Sequence, residues 1–154
     1  MIELGHVTDR KPPFRYSALA RVAFSDTDAQ GVVYYGRYMP YFDLARVEFH
    51  RHLGRGHVGE LDFAMRAVSV EYVAPPRFDD LLEIFVRVER IGTTSITYDH
   101  AAYRIEDGGP DDALMATAKA TLVCISLDER KAVPVPREFR DLVAAFQDPQ
   151  PARG

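Results

Sequence analysis

The sequence predicts a single α+β domain in which one antiparallel sheet covers one central helix, and three observations point to that class. A strand-like segment comes early, a long helix-like segment with a wide apolar arc follows, and four more strand-like segments then succeed one another across short, turn-rich connections. The length of 154 residues suits one core, because a chain near this size buries about 68–70% of its unfolded surface.

Taken in order, residues 1–14 mix charge, glycine and the pair Pro12 and Pro13, and read as an N-terminal tail. The domain is expected over residues 15–146. Tyr16, Ala18, Ala20, Val22 and Phe24 lie on one side of a period-two pattern, opposite Arg15, Ser17, Arg21 and Ser25, which predicts a half-buried first strand. The alternation stops at residues 25–31, rich in Asp, Thr, Gln and Gly, so a loop is expected there. Pro40 suits the first turn of a helix, Phe42, Ala45, Phe49 and Leu53 follow at spacings of three and four, and Gly54 is its stop. Asp43, Arg46, Arg51 and His52 give that helix a polar side, while Tyr38, Tyr41, Leu44 and Val47 widen its apolar arc. Strands are predicted at 64–73, 81–91, 95–105 and 115–126, with turn signals at 75–80, 92–93 and 107–110. Such short connections make antiparallel neighbours the expectation. A last helix is predicted over 137–146, with Phe139, Leu142, Val143 and Phe146 on one face, and residues 147–154 read as a C-terminal tail.

Composition narrows the partners. A net charge of −4, from 19 basic and 23 acidic residues without a basic block, offers no footprint for nucleic acid, although local arginines or a helix N-terminus can still hold a small anion. The only cysteine, Cys124, cannot form an intramolecular disulfide, and the first residues lack the layout of a secretory signal, so the cytoplasm is the expected location. No apolar run approaches the ~20 residues of a membrane-spanning helix.

The most informative segment is Asp26-Thr27-Asp28-Ala29-Gln30-Gly31-Val32-Val33-Tyr34-Tyr35-Gly36-Arg37-Tyr38, between first strand and helix. It resembles the signature of the 4-hydroxybenzoyl-CoA thioesterase family, which includes the acyl-CoA thioesterases associated with the Tol-Pal system. Glu71-Tyr72-Val73-Ala74-Pro75 before Asp80-Leu81-Leu82-Glu83-Ile84 is similar to that family's approach to its next strand, and the likeness in element order spans residues 20–143. The resemblance implies the hotdog fold, a five-stranded antiparallel sheet wrapped around a central helix. It also implies hydrolysis of acyl-CoA to a free acid and CoA, without metal or prosthetic group, by the second aspartate of the Asp-x-Asp pair, here Asp28. The backbone N–H at Tyr35 is the implied oxyanion donor, and Tyr34, Gly36 and Tyr38 join it as substrate-binding positions. A groove between subunits is implied too, hence a homodimer or homotetramer, and an exposed sheet edge favours the same two-fold pairing.

The residues are compatible with this chemistry. A carboxylate at a helix entry is favoured as an anion and can act as general base or as nucleophile, while unpaired N–H groups there face developing negative charge. Asp26 reads instead as a loop-shaping residue. Tyr34, Tyr35 and Tyr38 suit either pocket lining or ordinary packing. Phe24 stands where the Tol-Pal-associated enzymes carry a tyrosine, so a hydroxyl is missing there. Glu48 on the helix is a reserve carboxylate whose plain role is a salt link to Arg46 or Arg51. The histidines have no metal-ligand spacing: His50 and His52 face different directions, His6, His57 and His100 form no cluster, and Asp99 and His100 project from opposite faces of a strand. Cys124 reads as core, and no Gly-x-Ser-x-Gly elbow is present. For CoA phosphates, Arg37, Arg55, Arg77, Arg90 and Arg137 are unranked candidates. The alternatives are an enoyl-thioester hydratase, a non-catalytic acyl-CoA sensor, and a carrier-protein thioester in place of CoA.

Overall fold

In the computed structural model, which describes residues 2–54, 62–106 and 112–154, the alternating stretch forms strand β2, Tyr16–Arg21, after a short strand β1, Gly5–Val7. Helix α1, Tyr38–His52, follows, then β3 (Asp62–Tyr72), β4 (Leu81–Ile91), β5 (Ser95–Ile105), β6 (Ala113–Ser126), β7 (Lys131–Ala132), helix α2 (Arg137–Phe146) and β8 (Ala152–Arg153). Arg55, His57 and the turn expected at 107–110 lie outside the described residues.

The five long strands make the expected sheet. Tyr38, Tyr41, Phe42, Ala45 and Phe49 of α1 are buried against a face built from Leu82, Ile84, Val86 and Val88, Ile96, Tyr98 and Ala102, and Ala116, Ala118, Ala120 and Leu122. Each large apolar side chain so enclosed contributes about 1.5–3 kcal/mol, so the broad arc of α1 is what holds the sheet to it. Pro40 sits in the first turn of α1, where its missing N–H has no intrahelical acceptor to lose, and Gly54 ends it with φ 85°.

Three expectations need correction. The ends are not loose tails. β1 pairs antiparallel with β2, β8 pairs parallel with β4, and the Gln147 side chain bonds both the N–H and the C=O of Val88. Residues 10–14 also cross the sheet face turned away from α1: Phe14 packs on Phe85 at 5.7 Å between ring centres, and Arg10 pairs with Glu83 and Asp112. Glu83 is therefore fully buried, with Ser17 Oγ donating to it at 2.6 Å. Phe24 is not a strand residue on the inward face. It lies in a 3-10 turn, Phe24–Asp26, and is 79% exposed, because the strand ends where the loop turns.

The third correction concerns neighbours. The sheet order is β1-β2-β4-β5-β6-β3, so β3 pairs with β6 at an edge and not with β4. The short β3–β4 connection was a misleading guide. Its eight residues, 73–80, can extend up to about 26–29 Å, and the crossing from β3 to β4 is three interstrand spacings, roughly 14 Å. This connection reaches the loop around Asp28, through Pro76 and Arg77.

Candidate active site

The loop expected before the helix is a tight hairpin. Thr27 pairs with Val33, Asp28 N–H donates to Val32 O at 2.9 Å, and Gly31 N–H to Asp28 O at 3.0 Å. Gly31 has φ 78°, a left-handed angle that a Cβ would disfavour, which explains glycine at this turn. The crossing connection holds the hairpin from outside: Val33 N–H donates to Pro76 O at 2.9 Å, and Val32 forms a bridge with Arg77.

Asp26 anchors the loop. Its buried carboxylate accepts from Ala23 N–H (2.9 Å), from Tyr41 OH (2.7 Å) and from two nitrogens of Arg37 (2.9 and 3.1 Å). Burial works to raise its pKa, yet the Ala23 N–H, the Tyr41 hydroxyl and the Arg37 guanidinium together hold it below the usual carboxylate range. Arg37 thus gives its Nε and Nη2 to Asp26. Arg77 and Arg90 are exposed, and Arg137 pairs with Asp141 at 3.5 Å.

Asp28, two residues on, is the opposite case. It is exposed, and Gln30 N–H donates to its Oδ1 at 2.8 Å, while Oδ2 has no hydrogen-bond partner among the described residues. It lines a cleft of about 250 Å³ with Val33, Tyr35, Tyr38, Tyr72, Val73, Ala74 and Pro75. Helix entry forms the floor: a 3-10 turn, Tyr35–Arg37, runs directly into α1, and the N–H groups of Tyr35 and Gly36 open that turn without an intrahelical acceptor. Of the positions named from sequence, Asp28, Tyr35 and Tyr38 share the cleft. Gly36 and Tyr34 do not line it. The Tyr34 ring packs on Tyr35 at 4.4 Å between centres, and a Cβ added at Gly36 would come within 2.9 Å of the Tyr34 ring, so glycine permits that packing. The hydrogen bond to Tyr35 raises the pKa of Tyr34, and burial pushes that of Tyr38 up to about 12.

Tyr72 is the wall residue that sequence reasoning missed. From the exposed end of β3 it donates through its hydroxyl to Tyr35 O at 3.1 Å and packs edge-on against Tyr38 at 5.4 Å. The motif at 71–75 includes it, but its place in the cleft depends on β3 standing at the sheet edge.

Glu48 is elsewhere. Ten residues along α1 from Tyr38, about 15 Å, it is buried, accepts from Leu4 N–H at 3.0 Å and pairs with Arg51 at 3.3 Å. It ties the N-terminal segment to the helix. His52 meets Glu3 at 3.1 Å, His6 lies 3.5 Å from Glu83, and His50 bonds Tyr98. Asp99 pairs with Arg87 at 3.2 Å while His100 is buried on the α1 side, and burial raises the Cys124 thiol to about 11, unsuited to attack. Among the described residues, no group of three His, Cys, Asp or Glu side chains is placed for a metal, and no helix is long and apolar enough to cross a membrane.

Residues 30–110 match the model of the thioesterase superfamily. The chain is similar to the acyl-CoA thioester hydrolase YbgC of Escherichia coli O6:H1, 31% identical over 131 residues that cover 82% of this chain and 92% of the relative. It is also similar to the acyl-CoA thioesterase YbgC of Haemophilus influenzae, 29% identical over 136 residues, 85% and 93% of the two chains. Among solved structures, a variant of 4-hydroxybenzoyl-CoA thioesterase in complex with 4-hydroxybenzoyl-CoA superposes with TM-score 0.75 at 25% identity, covering 82% of this chain and 96% of that one.

Proposed function

Because the chain belongs to the thioesterase superfamily and has its hotdog fold, we propose that it is an acyl-CoA thioester hydrolase in which Asp28 drives release of a free acid and CoA. The observation that carries the reading is that a carboxylate with one unengaged oxygen and Tyr35, which opens the helix-entry turn, share one cleft. The thioester carbonyl lies toward the Tyr35 N–H, which stabilises the oxyanion as charge develops. Asp28 Oδ2 either takes a proton from the attacking water or attacks the carbonyl itself. Asp26 remains outside the chemistry and fixes the loop.

The cleft is open along β3, whose Met65, Val68 and Tyr72 are exposed on a strand with an unpaired edge. A second copy paired across a two-fold axis at that edge covers these residues and closes the cleft, so the enzyme is a homodimer, or a tetramer built from dimers. It works in the cytoplasm and needs no resident cofactor, CoA arriving as part of the substrate. A carrier-protein thioester uses the same cleft, since only the acyl group and its pantetheine arm enter it.

The test is thiol release from short, long and aromatic acyl-CoA thioesters by native protein and by Asp28→Asn. The substitution keeps the shape of the side chain and removes its charge, and turnover should fall by about 10²–10⁴-fold. Undiminished turnover in Asp28→Asn would overturn the role of Asp28. No hydrolysis of any CoA or carrier-protein thioester by native protein would overturn the reading itself.

A further inference from the structure

The C-terminal segment builds a feature that the thioesterase reading does not use. After α2 the chain turns back: the Gln147 side-chain amide clamps Val88, and β8 runs beside β4. Between that returning segment, the β4–β5 turn and one face of α2 lies a cavity of about 470 Å³, against about 250 Å³ for the Asp28 cleft. Small-molecule sites occupy about 300–1,000 Å³, so the size is that of a ligand site. Ile91 borders the cavity, while Leu81 follows the connection that reaches the Asp28 loop. The length of β4, about 33 Å, separates the two ends.

The lining is cationic in a chain whose net charge is −4. Arg137, Arg140 and Arg153 face one carboxylate side chain, Asp141. Arg137 Nε lies 3.5 Å from Asp141, but Arg140 and Arg153 form no ion pair among the described residues. Arg140 is the fixed element. Its Nε donates to Val135 O at 3.4 Å, and its Nη2 to Thr93 O at 3.3 Å and to Gly92 O, while Nη1 has no hydrogen-bond partner among the described residues. Three neutral carbonyls orient the guanidinium without cancelling its charge. A half-buried cation held in this way is stabilised by an anion supplied from outside.

The charge balance sets the class of that anion. Three guanidiniums against one carboxylate leave an excess of two, which a ligand carboxylate half cancels and a phosphate monoester, at about −1.5 to −2, matches. Thr93 and Gln150 bring neutral polar groups to the same cavity. We infer that this cavity is a second ligand site, for a phosphate ester of nucleotide size. Arg140 Nη1, Arg137 and Arg153 hold the phosphate, and Thr93 and Gln150 meet the rest of the molecule. The phosphate comes from the nucleotide end of a CoA molecule or from a separate metabolite. The site does not depend on the hydrolase reading.

The experiment is calorimetric titration at constant ionic strength with inorganic phosphate, 5′-AMP, 3′,5′-adenosine bisphosphate and unphosphorylated adenosine. It is run on native protein and on the double variant Arg137→Gln with Arg153→Gln, two exposed positions whose change leaves the anchors of Arg140 in place. Native protein should bind at least one of the two nucleotides about tenfold or more tighter than adenosine, and the double variant should lose most of that difference. Adenosine bound as well as its phosphates, no saturable binding of any phosphate, or a double variant equal to native protein would overturn the inference. Thiol-release kinetics name the source. Competition between the bisphosphate and acyl-CoA, with KM raised in the double variant for acyl-CoA and not for acyl-pantetheine, assigns the site to CoA. Nucleotide binding that leaves the KM for acyl-CoA unchanged assigns it to a separate metabolite. If no thioester is hydrolysed, the hydrolase reading fails and the calorimetry still decides this site.

Discussion

Two aspartates stand two residues apart in one loop, and removing each should damage a different property. Asp26→Ala deletes an acceptor used by one backbone N–H, one buried hydroxyl and one guanidinium. Stranding the Tyr41 hydroxyl and the Ala23 N–H costs about 1–2 kcal/mol each, and the Arg37 pair, with Arg37 nearly half exposed, adds roughly 0.5–1 kcal/mol after solvent screening. The sum is about 2.5–5 kcal/mol, or a fall in Tm of roughly 5–20 °C for a domain of this size. Asp28→Ala deletes one exposed bond, to Gln30 N–H, and should cost no more than about 1 kcal/mol while abolishing turnover. Urea unfolding of both variants beside native protein, with thiol release on the same samples, separates the two effects. The pH dependence has a definite sign. The folded pKa of Asp26 is depressed, so its stabilisation is fully present above the unfolded value near about 4 and is lost as pH falls through the folded value. The gap between native protein and Asp26→Asn should therefore narrow in acid below about pH 4. An Asp26→Ala variant as stable as native protein, or one no less stable than Asp28→Ala, would refute this reasoning.

Two further outcomes follow from the same geometry. Tyr72→Phe removes the hydroxyl that donates to Tyr35 O at an exposed position, so stability should change by less than about 1 kcal/mol while kcat/KM falls several-fold as the helix-entry turn loosens; unaltered kinetics would show that the turn holds itself. Val68→Lys puts a charge in the middle of the exposed β3 edge, and light scattering after size exclusion should show a dimer for native protein and a monomer for the variant, with turnover reduced; a variant that stays dimeric would move the interface elsewhere.

Local pattern made much of this legible. Residues 81–91, 95–105 and 137–146 fold over the spans expected, because each is an apolar-rich segment bounded by turn residues or proline. That residues 25–31 leave the strand as a loop before the helix was likewise readable. What escaped was long-range. Nothing near Tyr72 says that β3 lies at an edge, since that follows from pairing with β6 and leaving the place beside β4 to β2. Glu48 makes the salt link to Arg51 that was expected, but nothing local announced that it and Glu83 are buried, which the N-terminal segment laid across them explains. Phe24 shows the reverse error, an alternation continued one step past the strand's end.

The crossing at residues 73–80 also sets an order of assembly. Helix α1 and the hairpin around Asp28 are local in sequence and close cheaply, whereas the β3–β6 ladder joins residues as far apart as Asp62 and Ile125, a closure with a larger entropic cost and a slower search. Until that ladder zips, Tyr72 and Pro75 are not beside Asp28, so the carboxylate exists without its cleft. Recovery of turnover on refolding should accordingly lag the return of helical signal and keep step with the last strand to dock.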